Sequence, residues 1–391
     1  MLDDNRKSID LTVDALKEEA CRTARLYEWG DEDFHLPLEQ FIRCFKDKYS
    51  PDKNKMMYLF FQNALRSILV NRLHIQDNFK CHPEILGVPL HRPLFIVGLA
   101  RTGSTLLHRL MNLDLSCRVL LYWEMTHPFR GPNLGLNHEE LSIKLAELKI
   151  KEIYSKLPDL FHIHEIKATE PEECNILMRH SFCSLYLASE WKLPRYAQWL
   201  TNHDMTESYR YYRKLLQLLL WHKWHKSGNF LVLKCPSHLL NLNIILDVFP
   251  DANIVWLHRS PVKTLPSYLN LLSVFWGKEL NSQCFIEFIF DYLGQSLEMG
   301  MQSEKKFRAT QFLNLGYKEM VDDPLAAIFK IYNYFNYKID KSMESNIGKW
   351  LKENPRHKHG VHQYSLEKFG LSQAVLKEQF STYYDRYGHL L

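Results

Sequence analysis

Phe95-Ile-Val-Gly-Leu-Ala-Arg-Thr-Gly-Ser-Thr105 is the stretch that decides the fold. Apolar residues from Leu94 to Val97 run into Gly98-x-x-x-x-Gly103, and Ser104-Thr-Leu-Leu-His-Arg-Leu-Met111 follows with helical spacing. Strand, glycine turn and helix start together stack backbone N–H groups on the positive end of a helix dipole, which is a site for phosphate. A nucleotide triphosphatase loop carries Lys directly after its second glycine, to reach the β and γ phosphates. Ser104 stands at that position, and the cation is Arg101, two residues before Gly103. The loop reads as binding a phosphorylated group, but not ATP in the usual way.

Outward from this loop, short apolar runs alternate with helical ones from Pro93 onward. The runs predict strands at Leu94–Val97, Phe230–Leu233, Asn253–Leu257 and Phe312–Leu315. Helices are expected over Ser104–Leu113, Pro171–Glu190, Glu207–His225, Ser237–Phe249 and Pro261–Leu272. Such alternation implies βαβ units, hence an α/β fold with a P-loop-like, mostly parallel sheet flanked by helices. Ligands then sit beyond the carboxyl ends of the strands. Residues 1–92 read as a helical N-terminal extension, with Leu11, Ala15, Leu16, Ala20 and apolar positions between Met56 and Leu73 at helical spacing. Residues 93–391 read as the α/β domain, the two forming a single globular unit.

Composition narrows the class. The chain has 391 residues, 46% of them apolar and 13% aromatic, ample for a large core. A formal charge of +4 is too small to argue for nucleic acid as a partner, so a local anion pocket is the economical reading. Eight cysteines are scattered without a C-x-x-C pair, which fits reduced thiols in a cytoplasmic protein. The acidic, polar MLDDNRKSIDL does not read as a signal peptide. No apolar run approaches the roughly 20 residues that span a bilayer.

Further cations stand at other strand ends. Phe230-Leu-Val-Leu-Lys234 ends a strand in a lysine, which is unfavourable there unless it meets an anion. In Asn253-Ile-Val-Trp-Leu-His-Arg259-Ser-Pro261 a strand ends at Arg259, Pro261 suits a first helical turn, and Ser267 lies two turns on. Such an Arg and Ser are able to hold one phosphate between them, although an ordinary strand–loop–helix with a surface arginine gives the same pattern. Arg356-His-Lys358-His359-Gly360-Val-His362 is a basic, glycine-containing loop able to fold over a phosphate. His357, His359 and His362 lack a neighbouring Cys or carboxylate cluster and do not read as metal ligands. His162 and His164, and His222 and His225, read as packing or surface histidines.

These pieces resemble the sulfotransferases that use 3′-phosphoadenosine 5′-phosphosulfate (PAPS). The likeness is greatest to the branch that includes bacterial-type enzymes and shares loops with tyrosylprotein sulfotransferases. The family loop P-[KR]-[ST]-G-[ST]-T matches Ala100-Arg101-Thr102-Gly103-Ser104-Thr105, with Ala100 replacing the proline. The resemblance assigns the 3′-phosphate pair to Arg259 and Ser267 and the strand-end lysine to Lys234. It places Tyr317-Lys-Glu-Met-Val-Asp-Asp-Pro324 near the nucleotide, and makes Arg356–Gly370, with Arg356, Lys358, His359 and Gly360, the closing loop. It implies a base at Glu124, a similar distance after the loop as in the tyrosylprotein branch, or at His238, after the strand-end lysine as in the cytosolic enzymes. K-C-P-S-H in place of K-T-H weakens the second assignment.

The chemistry agrees with the residues. Sulfuryl transfer proceeds in line with negative charge growing on the leaving phosphate oxygen, so the protein must position both ends and neutralise that oxygen. Arg101 and Lys234 supply fixed charge and the loop N–H groups supply dipoles. The donor has no γ-phosphate, so neither a Walker lysine nor a metal is expected. Aromatic runs in Phe182–Trp199 and Tyr268–Phe290 favour a small lipophilic alcohol or phenol as acceptor wherever they line the pocket rather than the core. A small-molecule kinase and a non-catalytic nucleotide-binding protein are the competing classes. Ser104 argues against the first, and the joint presence of Arg101, Lys234, Arg259, Ser267 and a candidate base argues against the second.

Overall fold

The computed structural model describes residues 11–129, 138–222, 230–277, 280, 283–355 and 366–391. Five strands form one sheet: β1 Leu94–Val97, β2 Cys117–Val119, β3 Phe230–Lys234, β4 Asn253–His258 and β5 Phe312–Gly316. All pairings are parallel, in the order β2-β3-β1-β4-β5. The first four strands are buried along their whole length, as expected of a parallel sheet with both faces covered. The sequence locates four of these strands to within a residue; β2, only three residues long, carries no periodicity to read.

The order of the strands decides where a ligand goes. From β1 the chain moves to β2 and β3 on one side, and later to β4 and β5 on the other. The switch point therefore opens between the carboxyl ends of β1 and β4. In register, Ile96 pairs with Lys234, Val97 with Trp256 and His258 with Gly316. That brings Lys234, the turn after Val97, Arg259 and Tyr317 to neighbouring positions along one edge.

Of the predicted helices, the one opening at Ser104 is real but ends at Met111, and the one opening at Pro261 extends to Trp276. Thr206–His222 replaces Glu207–His225, whose last residues lie outside the described ones. Ser237–Phe249 is a 3₁₀ turn, Pro236–Asn241, followed by a helix Leu242–Val248. The predicted helix Pro171–Glu190 is not one helix. Pro171 pairs with Leu121 in an antiparallel bridge, and the N–H groups of Glu172 and Cys174 donate to the carbonyls of Leu120 and Lys234 at 3.2 and 3.0 Å. Only Asn175–Met178 and Leu185–Glu190 are α-helical, with a 3₁₀ turn at Arg179–Ser181 between them. Tertiary partners for the backbone override the apolar spacing there.

The chain divides into two compact units, one from the described residues of 1–88, 127–138 and 177–221, the other from those of 89–126, 139–176 and 222–391. Three helices open the first unit: α1 Val13–Ala24, α2 His35–Lys48 and α3 Lys55–Cys81. They share its core with residues after 177. Phe45 stacks on Phe61 at 3.7 Å, Trp191 meets both edge-on, and buried Arg72 lies between the rings of Phe34 and Tyr211. The second unit holds the whole sheet and every described residue of the candidate site. Among the described residues, no helix is long and apolar enough to cross a membrane.

Candidate active site

The turn after β1 is shaped by positive φ angles. Gly98 has φ 142°, and a Cβ there would lie 2.5 Å from the Leu257 carbonyl oxygen, so β4 admits only glycine at this point. Arg101 is left-handed at φ 72°, an uncommon state for a residue with a side chain. Gly103, at φ 88°, caps helix α4 (Ser104–Met111). The Thr102 hydroxyl donates to the Leu99 carbonyl at 2.8 Å and closes the loop on itself. The result is a glycine turn at the switch point, of the kind whose backbone N–H groups cradle anions.

Three residues distant in sequence converge on this cradle. Arg101 Nε donates to Ser267 Oγ at 3.1 Å, on the helix Pro261–Trp276, and Arg101 Nη1 to the Ile163 carbonyl at 3.4 Å. Arg259 Nη1 donates to the Arg101 carbonyl at 2.7 Å, and its guanidinium lies 3.9 Å from the centre of the Tyr317 ring. That ring also packs under Gly103, where a Cβ would come within 3.3 Å of it. Arg101, Thr102, Gly103, Ser104, Arg259, Ser267 and Tyr317 thus form one constellation. His258 steadies the strand ends beside it: Nε2 meets Asn314 Oδ1 at 2.8 Å and Nδ1 meets the Tyr383 hydroxyl at 2.9 Å. Burial pulls the His258 pKa down to about 4, so the ring is neutral.

Lys234 closes the other side. Its ammonium is almost wholly buried, 3.0 Å from Glu173 Oε1, 3.9 Å from Glu172 Oε1 and 3.5 Å from Thr105 Oγ1. Burial disfavours its charge, but Glu173 and Glu172 outweigh that and its pKa ends above the ordinary value. Glu172 in turn meets His164 Nε2 at 3.0 Å. Burial opposes the Glu172 charge, yet His164 and Lys234 hold its pKa far below the usual carboxylate range. His108, beneath, is driven down to about 3 by burial and then by Lys234.

The two residues expected as bases sit elsewhere. Glu124 has no exposed surface: Arg118 Nη2 donates to its Oε1 at 2.5 Å, and Arg118 Nη1 and the Leu121 N–H donate to its Oε2 at 3.1 and 2.9 Å. Burial raises its pKa against the pull of Arg118. Both oxygens are engaged by Arg118 and by the chain after β2. His238 is likewise fully enclosed, edge-on to Phe95 at 5.3 Å, with burial pulling its pKa down to about 3. The expected closing-loop residues Arg356, Lys358, His359 and Gly360 lie outside the described residues.

Glu172 and Glu173 are the site residues that sequence reasoning missed. Their signal was Pro171 directly before two carboxylates, hidden by assigning the segment to a helix. Among the described residues there is no group of three or more His, Cys, Asp or Glu placed to hold a metal ion.

A glycine turn at the switch point, ringed by two arginines and a buried lysine, marks a P-loop-like α/β protein with a cationic site at its sheet edge. More particularly, the chain belongs to the sulfotransferase family, whose model matches residues 93–341. The solved structure of sulfotransferase STF9 from Mycobacterium avium superposes with a TM-score of 0.81 at 25% identity, covering 96% of each chain. STF1 from Mycobacterium tuberculosis gives 0.78 at 28% identity, covering 96% of this chain and all of that one. The omega-hydroxy-beta-dihydromenaquinone-9 sulfotransferase Stf3 of Mycobacterium bovis is 22% identical over 308 residues, 76% of this chain and 75% of that protein. Sulfotransfer is the activity that this membership supports.

Proposed function

We propose that the protein transfers the sulfuryl group of PAPS to the hydroxyl of a lipophilic small molecule. The observation that carries the donor assignment is the convergence of Arg101, Arg259 and Ser267 on the glycine turn, with Lys234 beside Thr105 at its far end. In this reading the cradle N–H groups and Thr102–Thr105 hold the 5′-phosphosulfate, and Arg259 with Ser267 takes the 3′-phosphate. Tyr317 packs beneath the turn and flanks Arg259. Arg101 and Lys234 lie where charge develops on the leaving oxygen and stabilise it by preorganised electrostatics.

The acceptor class rests on the helix that carries Ser267. Tyr268, Leu271 and Phe275 follow at i, i+3 and i+7, so they share one face, and each is partly exposed. Leu272 and Trp276 on the same helix are core. A partly exposed apolar stripe beginning beside the anion cradle suits a greasy alcohol or phenol, and the Stf3 relative is named for a hydroxylated dihydromenaquinone.

Calorimetric titration with 3′-phosphoadenosine 5′-phosphate (PAP), run beside ATP–Mg²⁺, tests the donor. Tight binding of PAP with none of ATP is expected. Binding of ATP alone would hand the loop to phosphoryl transfer, and binding of neither would remove the donor assignment.

A further inference from the structure

A sulfuryl acceptor must lose its proton, and neither enclosed Glu124 nor enclosed His238 is placed to take it. The carboxylates facing Lys234 differ in a way that separates their roles. Glu172 has 8% of its side chain exposed; its Oε2 faces His164 and its Oε1 accepts the Glu173 backbone N–H at 2.8 Å. Those contacts occupy both of its oxygens. Glu173 keeps 28% of its side chain exposed, and among the described residues Lys234 is the one cation paired with it, through Oε1.

The position of Glu173 is set by backbone. Cys174 N–H bonds to the Lys234 carbonyl and Glu172 N–H to the Leu120 carbonyl, so the segment is pinned to the end of β3 on one side of Glu173 and to the residue after β2 on the other. The carboxylate is therefore a fixed neighbour of the ammonium that flanks Thr105 in the cradle. An in-line transfer needs its base near the attacking acceptor oxygen, and Glu173 stands beside the ammonium that reaches Thr105 of the cradle.

We propose that Glu173 is the general base of the reaction, resting on the sulfotransferase reading above. The acceptor oxygen forms its bond to sulfur while the bond from sulfur to the 5′-phosphate oxygen breaks. The electron pair of the broken bond leaves on that oxygen, opposite Arg101 and Lys234. The acceptor proton passes to the Glu173 carboxylate and from its exposed face to water. Lys234 serves both ends, stabilising the leaving oxygen and holding the Glu173 carboxylate in place at 3.0 Å.

The test compares two acceptors in the full-length protein. n-Dodecanol enters as a neutral hydroxyl, whereas 4-nitrophenol, held above its own pKa, enters as the phenolate and has no proton to lose. Glu173→Gln is expected to lower transfer from PAPS to dodecanol by ~10²- to 10⁴-fold, the usual range for a general base. It should change transfer to nitrophenolate by less than about tenfold, since no base is needed there. PAP binding, measured by calorimetry on the same variant, should persist. Equal losses with both acceptors, or no loss with dodecanol, would overturn the base assignment while leaving the donor reading intact. Failure of the unaltered protein to bind PAP would overturn the donor reading instead. Glu173→Asp, which keeps the carboxylate, should recover part of the dodecanol rate, and a variant as inactive as Gln would count against the base.

Discussion

Arg101 and Ser267 meet at 3.1 Å across 166 residues of chain, Nε donating to Oγ. One belongs to the turn after β1 and the other to the helix after β4, so this contact spans the switch point of the sheet. The side chain that reaches across is also one whose backbone is left-handed, at φ 72°. Backbone strain at a functional turn persists only where surrounding contacts over-determine it, and here the Ser267, Ile163 and Arg259 contacts do so.

Arg101→Ala is expected to lower kcat by ~10²- to 10³-fold, the scale of one preorganised oxyanion contact. Arg101→Lys should recover little of this, because an ammonium lacks the forked geometry that serves Ser267 and Ile163 together. Arg259→Ala should act mainly on donor affinity, read by PAP calorimetry. Near-normal turnover of Arg101→Ala with PAPS would refute the loop chemistry.

The two glycines of the turn should respond unequally. At Gly98 an added Cβ meets the backbone oxygen of Leu257 at 2.5 Å, which cannot move without shifting β4. At Gly103 the nearest atom is the tip of Met320, at 2.9 Å, which is flexible. Both carry positive φ, a strain of about 1–3 kcal/mol for alanine, to which Gly98→Ala adds the clash. Thermal melts and PAP titration should rank Gly98→Ala as the more damaging. The reverse order would mean that the turn does not keep this conformation in solution.

Glu124→Gln should act on stability rather than on chemistry. It removes one partner of a buried pair and leaves Arg118 uncompensated, which costs about 3–5 kcal/mol. Denaturant titration should show the loss, while the folded fraction retains kcat. A variant of unchanged stability that binds PAP but does not turn over would return the base role to Glu124.

Acid should destabilise the fold in a defined window. Burial pulls His108, His180 and His238 from 6.5 to about 3, and His258 to about 4. Between these limits the unfolded chain binds protons that the folded chain does not, so stability rises with pH across the window. The contribution is complete above 6.5 and is lost as pH falls toward 3. Denaturation midpoints should fall between about pH 8 and about pH 5. A flat profile over that range would mean these imidazoles are hydrated in solution.

Much of the candidate site was legible because it is made of local rules. Gly98, Gly103 and the apolar run before them specify a strand, a tight turn and a helix start within a dozen residues. The alternation of apolar runs then places Lys234, Arg259 and Tyr317 at strand ends. Nothing in the local pattern says which ends are adjacent. That follows from the order β2-β3-β1-β4-β5, which comes from long-range pairing.

The proposal of a base rests on tertiary structure alone. Glu124 and His238 stand at plausible distances along the chain, but whether a carboxylate or imidazole faces solvent depends on what packs over it. Arg118 covers the first, and the second is buried edge-on to Phe95. Glu173 was hidden for the opposite reason. Its segment has helical spacing, yet its backbone groups are taken by Leu120 and Lys234, residues far away in sequence. Motifs set by steric and dipolar rules over a few residues can be read directly from a chain. Burial and pairing across a sheet exist only once the chain has closed on itself.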